Sequence, residues 1–217
     1  MAIMGNIVDL TGRRKARADP ARHAVEQHWQ AIRGADGVPA RDDVDPAQML
    51  DALDRLILVE RIAPRQARIR IAGRRVNDLL GMDLRGMPLS CIIAPASRGW
   101  LGDCTEALFD GPSRIDLGLA GPRGTFRPRL AAELVLLPLR DRDGIVSRAL
   151  GYADLPERTG SAPLRMEISG ERRSGVAIPA RGLPAPAPGL PGAADDPDRL
   201  DRARDAAHRR QSLHLVD

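Results

Sequence analysis

The sequence feature that most limits the fold of this chain is a strict alternation of apolar and polar residues in several separate segments. Residues 66–73 (QARIRIAG) place Ile69 and Ile71 on one face of an extended chain and Arg68 and Arg70 on the other. A period of two is typical of a half-buried strand rather than of a helix. The segment therefore predicts a β-strand with one face in a core.

Four further segments are β-rich, and short turns join most of them to their neighbours. The five predicted strands are residues 55–62, 66–73, 113–120, 126–139 and 145–155. Strands joined by short turns, such as the turn at Asp143 and Gly144, pair antiparallel. Two helical segments, 74–80 and 95–109, separate the first two strands from the last three. We therefore expect an α+β fold, with one five-stranded antiparallel sheet and helices on one face.

An N-terminal helix is expected to cover the other face of the sheet. Residues 20–33 repeat Val25, Trp29 and Ile32 at helical spacing. The first strand is apolar on both faces, and an apolar outer face must be covered, within one chain or across a dimer. We predict that this helix is the dimerising or signal-coupling element. The buried face predicted for a second short helix, which begins after Asp45, consists of Met49, Leu50 and Leu53.

Composition divides the chain into three zones. Residues 1–19 are predicted to be a mobile basic arm, and residues 20–155 carry all of the regular periodicity. Eight of the 18 prolines fall in residues 156–197. A segment this rich in proline buries too little apolar surface to offset its ordering entropy. Residues 156–217 are therefore predicted to be a disordered Pro/Arg-rich tail.

Several classes of protein are excluded by the sequence. No run approaches 18 apolar residues, so no membrane span is expected. The N-terminus has no apolar signal region, which favours a cytoplasmic protein. Cys91 and Cys104 lack metal-ligand spacing, and no metal site is expected. Aromatic residues make up 2% of the chain, too few for a platform that stacks nucleic-acid bases.

The order of the predicted elements resembles that of the PAS fold. The matching segments include HWQAIR, VPAR, RIAPRQARIRIAGRRVNDLLGMDLRGMPLS and ELVLLPLRDRDGIVSRALGY, within residues 22–168. In their order and spacing these segments are similar to one bacterial set of PAS-like proteins, the PAS_5 type, in which the domain stands nearly alone in the chain. The tail after Ser169 has no counterpart in this resemblance.

The resemblance implies a sensory or regulatory module in signal transduction rather than an enzyme. PAS domains hold a small molecule or a partner surface between the inner sheet face and the helices. Members with haem or flavin carry a characteristic His or reactive Cys on or beside the long helix. Here that helix has Cys104 but no His, and residues 102–106 (GDCTE) lack the Asn-Cys-Arg-Phe type of sequence. No cofactor is therefore expected.

A cavity in such a fold would be lined by apolar side chains. The candidate pocket residues are Ile69, Ile71, Leu79, Trp100, Leu108, Leu134 and Leu136. They could line a site for a small apolar ligand, or they could form a core without a void, and the second alternative is favoured. Glu133, on a partly apolar face, is interpreted as an ion-pair partner of Arg129 or Arg148 rather than as a ligand sensor.

Three functions remain open. The leading hypothesis is a non-catalytic PAS-like regulator whose output passes to an unknown protein partner, because no output domain follows. The second is a nucleic-acid or anionic-surface binder that uses the basic residues of the arm, 13–17, and the Arg-rich tail. The third is an enzyme with its site inside the cup. It is disfavoured, because no pair of inward-facing polar groups is predicted and no catalytic residue is assigned.

The proposed role of the N-terminal helix gives a direct test. Trp29→Ala removes the largest side chain of the apolar stripe, so it is expected to change the oligomeric state or the stability. Size-exclusion chromatography with light scattering measures the first, and urea unfolding measures the second. A variant unchanged in both would contradict the prediction.

Overall fold

The computed structural model describes residues 19–34, 37–122, 130–156 and 162–176. These residues lie in a compact unit, Met1–Pro179, while a second unit, Ala180–Asp217, lies outside the described residues. The predicted basic arm and most of the predicted tail also lie outside them. In chain order the main elements are α1 (Pro20–Ala31), a 3₁₀ segment (Pro46–Arg55), β1 (Leu56–Ala63), β2 (Gln66–Ala72), α2 (Arg74–Asn77), α3 (Arg98–Phe109), β3 (Ser113–Ala120), β4 (Ala131–Arg140), β5 (Val146–Asp154) and β6 (Glu167–Gly175).

The strands form one antiparallel sheet in the order β2-β1-β5-β4-β3-β6. The predicted α+β class and the single antiparallel sheet are confirmed, but the predicted number of five strands is wrong. The sixth strand, β6, comes from residues assigned to the tail, so the domain extends beyond residue 155. Its sequence, EISGERRSG, hides the strand because β6 lies at the sheet edge and pairs through its backbone with β3 alone.

The inner face of the sheet packs against α2 and α3 and encloses the main core. Every strand contributes buried side chains to this core, including Ile57, Val59, Ile69, Ile115, Leu117, Leu134, Leu136, Ala149 and Ile168. The buried stripe of α3 consists of Leu101, Cys104, Leu108 and Phe109. These positions recur at about one helical turn, so a single face of α3 meets the sheet.

Gly151 shows how closely the centre of this core is packed. It lies in β5, in register with Ile57 of β1 and Leu136 of β4. A Cβ atom at this position would overlap the Ile57 side chain and lie 3.0 Å from Cδ2 of Leu136. The two large side chains therefore occupy the space above a residue that has none.

The outer face of the sheet is apolar too, and α1 covers it together with the 3₁₀ segment. This second core contains Ala21, Val25, Trp29, Met49, Ala52, Leu56, Val135, Leu137, Leu139, Leu150 and Tyr152. The helix begins at Pro20, after Asp19 caps it by accepting a 3.1 Å hydrogen bond from the Ala21 amide. The predicted covering helix thus lies on the sheet of its own chain.

The 3₁₀ segment differs from the second helix expected from the sequence. Met49 is buried as predicted, but Leu50 is 65% exposed and Leu53 is 40% exposed. Three residues per turn and a break in the helical backbone at Met49 (φ −142°) rotate these two leucines away from the sheet. Ala52 takes the buried position instead.

Ile71 is the predicted core residue whose orientation is wrong. Ala67 and Ile69 face the core as expected, but Ile71 is 51% exposed. The register shifts by one residue between the pairs Leu58–Ile71 and Val59–Ile69, which places a β-bulge at Arg70. Because one extra residue reverses the alternation, Ile71 points to the outer face.

The close packing at Gly151 predicts a clear loss of stability on substitution. Gly151→Ala is expected to lower the free energy of unfolding by about 1–3 kcal/mol, because the added methyl group overpacks the core. Gly170→Ala in β6 is the matched control, since a Cβ there meets nothing within 4 Å. Urea unfolding measures both, and equal effects of the two substitutions would contradict the packing described here.

Candidate functional site

Trp29 attaches α1 to the outer face of the sheet. Its side chain is buried, and its Nε1 donates a 3.0 Å hydrogen bond to the carbonyl oxygen of Pro138 in β4. The guanidinium of Arg33 lies 5.0 Å from the centroid of the indole ring, within range of a cation–π contact. One side chain therefore combines apolar burial with a directional contact to the sheet.

A second attachment of α1 is ionic and is centred on Arg22. Its guanidinium contacts Glu26 of the same helix at 2.9 Å, Asp116 of β3 at 2.9 Å, and Glu133 of β4. Arg114 contacts both Glu26 and Asp116 at 2.7 Å. Asp116 is nearly fully buried, so these guanidinium groups, rather than water, compensate its charge.

A third attachment holds the first residues of α1. Asp19 Oδ2 accepts hydrogen bonds from Tyr152 Oη at 2.6 Å and from Arg55 Nη1 at 2.9 Å. Arg55 also donates to Tyr152 Oη at 2.8 Å. The N-cap of the helix is thereby joined to β5 and to the end of the 3₁₀ segment.

A cleft of about 890 Å³ runs between α1 and the outer face of β3 and β6. Arg172 of β6 lies at this cleft, 3.5 Å from Asp116, and is 60% exposed. The residues that line the cleft are Asp19, Pro20, Arg22, His23, Glu26, Gln30, Arg114, Asp116, Arg172 and Ser174. Both signs of charge are present, so the cleft joins the ionic attachment of α1 to solvent.

The carboxylates around α1 have pKa values shifted in opposite directions. Burial alone would raise the pKa of Glu26 and of Asp116, but hydrogen bonds from Arg22 and Arg114 outweigh it and lower both pKa values. The pKa of Asp154 is raised, first by burial and then by the nearby Asp19 carboxylate. The ionised forms of Glu26 and Asp116 thus stabilise the fold, whereas that of Asp154 opposes it.

Most of the predicted pocket residues meet in the inner core. Five of them belong to one cluster and are at most 1% exposed: Ile69, Leu79, Leu108, Leu134 and Leu136. Neither the 890 Å³ cleft nor a smaller one of about 460 Å³ beside α3 is lined by any of the seven predicted residues. Their role in holding a ligand stays a prediction.

Trp100, like Ile71, does not lie where a pocket residue was expected. It is 38% exposed and its Nε1 donates to Glu171 Oε2 of β6 at 2.5 Å. Trp100 precedes the stripe that begins at Leu101 by one residue, and one residue on a helix is a rotation of about 100°. The ring therefore lies at the side of α3, against the strand that the sequence did not reveal.

The buried thiol of Cys104 contacts the same carboxylate. Its Sγ donates to Glu171 Oε2 at 2.6 Å, and burial together with this carboxylate raises the pKa of Cys104 to about 12. Because the thiolate is the reactive form, Cys104 is held as an unreactive thiol at neutral pH. Arg173 pairs with the other oxygen of Glu171 at 2.8 Å.

The inner face does not fit a flavin. Among the described residues the buried polar side chains are Ser97, Thr105 and Asp116. Thr105 donates to the Leu101 carbonyl of its own helix, and Ser97 accepts from the Ile168 amide. Asp116 belongs to the outer face. No polar side chain in this part of the structure is left to orient a ring system, and the space above Gly151 is filled.

The ionic attachment could be read from the sequence only in part. Glu133 pairs with Arg22, whereas the sequence suggested Arg129, which lies outside the described residues, or Arg148. Arg148 pairs instead with Glu60. The spacing of Arg22 and Glu26 was a detectable helical signal, but Arg172 could not be found without β6.

The described residues give no support for metal binding or for membrane insertion by a helix. Within ranges 19–34, 37–122, 130–156 and 162–176, no three His, Cys, Asp or Glu side chains are grouped to hold a metal ion. No helix in those ranges has the length and apolar character required to cross a bilayer. The chemistry of the site is therefore discussed in terms of its ion pairs and apolar contacts.

The opposite pKa shifts predict opposite effects of two isosteric substitutions. Asp116→Asn is expected to lower the free energy of unfolding at pH 7 by about 1–3 kcal/mol, because it leaves buried guanidinium groups without their partner. Since the pKa of Asp116 is lowered in the fold, this stabilisation is present above the unfolded pKa near 3.8 and is lost as the pH falls below it.

Asp154→Asn is the matched control with the reverse sign. It is expected to raise the free energy of unfolding at pH 7, and the gain should vanish at acid pH, where the wild-type carboxyl is protonated in both states. Urea unfolding between pH 3.5 and 7.5 measures both variants. Two pH-independent differences would show that the ionised carboxylates do not act as described.

Comparison with known structures finds light-sensing domains at low similarity. The light-state structure of the blue-light photoreceptor Aureochrome1 LOV is 15% identical, with a TM-score of 0.34, covering 53% of this chain and 90% of that one. A Rhodobacter sphaeroides LOV protein is 17% identical, with a TM-score of 0.36, covering 62% and 70%. An RNA-binding Light-Oxygen-Voltage receptor is 18% identical, with a TM-score of 0.36, covering 51% and 33%.

Comparison with sequence families gives the identity of the domain. No curated protein matches the chain. A family model described as a PAS domain, PAS_5, matches residues 17–154. The match begins just before α1 and ends at the last residue of β5, so it includes the covering helix and leaves out β6. Because the matched residues make up more than half of the sequence, this chain belongs to the PAS domain family.

Proposed function

We propose that this protein is a non-catalytic regulatory module that signals through a protein partner, with α1 as the coupling element. A PAS domain is typical of sensory signalling, and the question for this chain is which of its surfaces carries the signal. The inner face and the outer face are the two candidates. The packing of the described residues favours the outer face.

The observation that carries this proposal is the way α1 is held on the sheet. An isolated helix of 12 residues is marginal in water, so α1 depends on its contacts with the sheet to stay helical. Those contacts are of separable kinds: the Trp29 side chain, the ion pairs of Arg22, and the hydrogen bonds of Asp19. A helix held in this way can be docked or released as a unit, which is the two-state element that a signal requires.

The small-molecule alternative has less support from the same structure. The predicted pocket residues that are buried pack against one another, and Gly151 has no room for even a methyl group. A ligand in the cup would have to displace this core. Partner binding requires no such rearrangement.

Catalysis also has little support. The buried polar groups of the described residues are all engaged in hydrogen bonds or ion pairs, and the most acidic cluster is neutralised by arginines. General acid–base chemistry needs a titratable group free to face a substrate. The proposal therefore assigns no reaction and no cofactor to this chain.

The test compares docked and released α1 in the full chain. Trp29→Ala removes the main attachment, and Gln27→Ala, on the exposed side of the same helix, is the matched control. Hydrogen exchange is expected to show that the amides of α1 lose protection in Trp29→Ala but not in Gln27→Ala, while those of β4 and β5 keep it in both. Retained protection of α1 in Trp29→Ala would contradict the proposed release.

The functional readout is cross-linking of these proteins to partners in cells of the source organism. The captured set is expected to differ between wild type and Trp29→Ala and to be the same for wild type and Gln27→Ala. Identical sets for all three would overturn the role of α1. A stoichiometric small molecule in the native mass spectrum of the purified protein would favour the ligand alternative instead.

A further inference from the structure

The apolar surface of the outer face extends beyond the area that α1 covers. A single row of apolar side chains crosses four strands in register: Leu137, Leu150, Leu58 and Ile71. Leu137 and Leu150 are buried in the core under α1, Leu58 is half-buried, and Ile71 is 51% exposed. The row therefore continues into solvent on β1 and β2.

Other exposed apolar residues lie around the end of this row. Ile62 is 42% exposed and shares the outer side of β1 with Leu58, from which it is separated by four residues. Leu53 is 40% exposed, and its backbone abuts Gly73, the residue that follows β2. We call Leu53, Leu58, Ile62 and Ile71 the exposed strip. Contiguous apolar surface of this kind marks an interaction site more often than scattered single residues do.

The charges beside the exposed strip are mostly positive. Arg68, Arg70 and Arg148 lie on the same face of the sheet as a single acidic residue, Glu60. Glu60 pairs with both Arg70 and Arg148, and among the described residues no ion pair is formed by Arg68. Three cations and one anion leave a net charge of +2. Two copies of this surface would repel each other, whereas an acidic partner would be attracted.

The edge of the sheet next to the exposed strip is already occupied. The Ile69 amide donates to the Met87 carbonyl at 2.8 Å, and the Gly86 amide donates to the Ile69 carbonyl at 2.8 Å. Pro88 is bridged to Arg68. A partner therefore cannot add a strand to β2 through these backbone groups. It must lie on the face, where an amphipathic helix places apolar residues from successive turns in one line.

We propose that the exposed strip binds an amphipathic helix of a separate protein, with acidic residues beside its apolar stripe. This inference rests on the proposed signalling function and names the class of partner. The apolar stripe of the helix would lie along Leu58 and Ile71, and its carboxylates would face Arg68 and Arg70. α1 lies on the adjacent part of the same face, so release of α1 would change the surface that the partner contacts.

The probe is a displayed library of 18-residue peptides with leucines at helical spacing and random residues beside them, selected on the full-length protein. We expect the selected peptides to be rich in Asp and Glu beside the leucines. Their affinity should fall at least about tenfold in Ile71→Ser. Met82→Ser is the matched control, because Met82 is also 51% exposed but lies outside the exposed strip, and it should bind as wild type does.

Charge reversal tests the electrostatic part of the proposal. Arg68→Glu is expected to weaken binding of the acidic peptides and to strengthen binding of the same peptides with Lys in place of Glu. Selection of basic peptides, loss of binding in Met82→Ser equal to that in Ile71→Ser, or a library without binders would overturn the proposal. A wild-type dimer that Ile71→Ser converts to a monomer would assign the exposed strip to a second copy instead.

These outcomes are separate from those of the α1 experiments. If α1 controls partner capture but the library selects no acidic helix, the inference about the exposed strip fails and the signalling function stands. If the library result is as expected but capture does not depend on α1, the coupling role of α1 fails instead.

Discussion

The structure depends on one constraint: the sheet is apolar on both faces. Its inner face packs against α2 and α3 in the usual manner of a two-layer fold, but the second face would expose Val135, Leu137 and Leu150 if nothing lay over it. Burying that surface is the main physical reason for α1 to be helical and to lie where it does. The ion pairs of Arg22 add direction to this contact, because they join the helix to two particular strands.

The same constraint relates the fold to signalling. The inner core is filled at Gly151 and around the predicted pocket residues, so it resists the entry of a ligand. The outer face is covered only in part, by a short helix and a 3₁₀ segment. A weakly self-sufficient element over an apolar surface is well suited to two arrangements, and the exposed strip on β1 and β2 offers a neighbouring surface on which a partner could sense them.

Strand β6 brings the two faces into contact with one element. Arg172 points to the outer face and reaches Asp116, while Glu171 points to the inner side and accepts hydrogen bonds from Cys104 and Trp100. The edge strand therefore touches both the ionic attachment of α1 and the side of α3. A disturbance of β6 would be felt on both faces of the sheet.

The amino-acid sequence by itself determined the antiparallel sheet, the long helix and the covering helix, because period-two and helical apolar patterns report directly which side chains must be buried. It could not determine the orientation of Ile71, since a single bulged residue at Arg70 reverses the alternation without changing the composition. It also could not reveal β6, whose stability comes from backbone pairing with β3 rather than from its own apolar residues. The ion pairs of Arg22 were decided only when residues over 90 positions apart met in the folded chain.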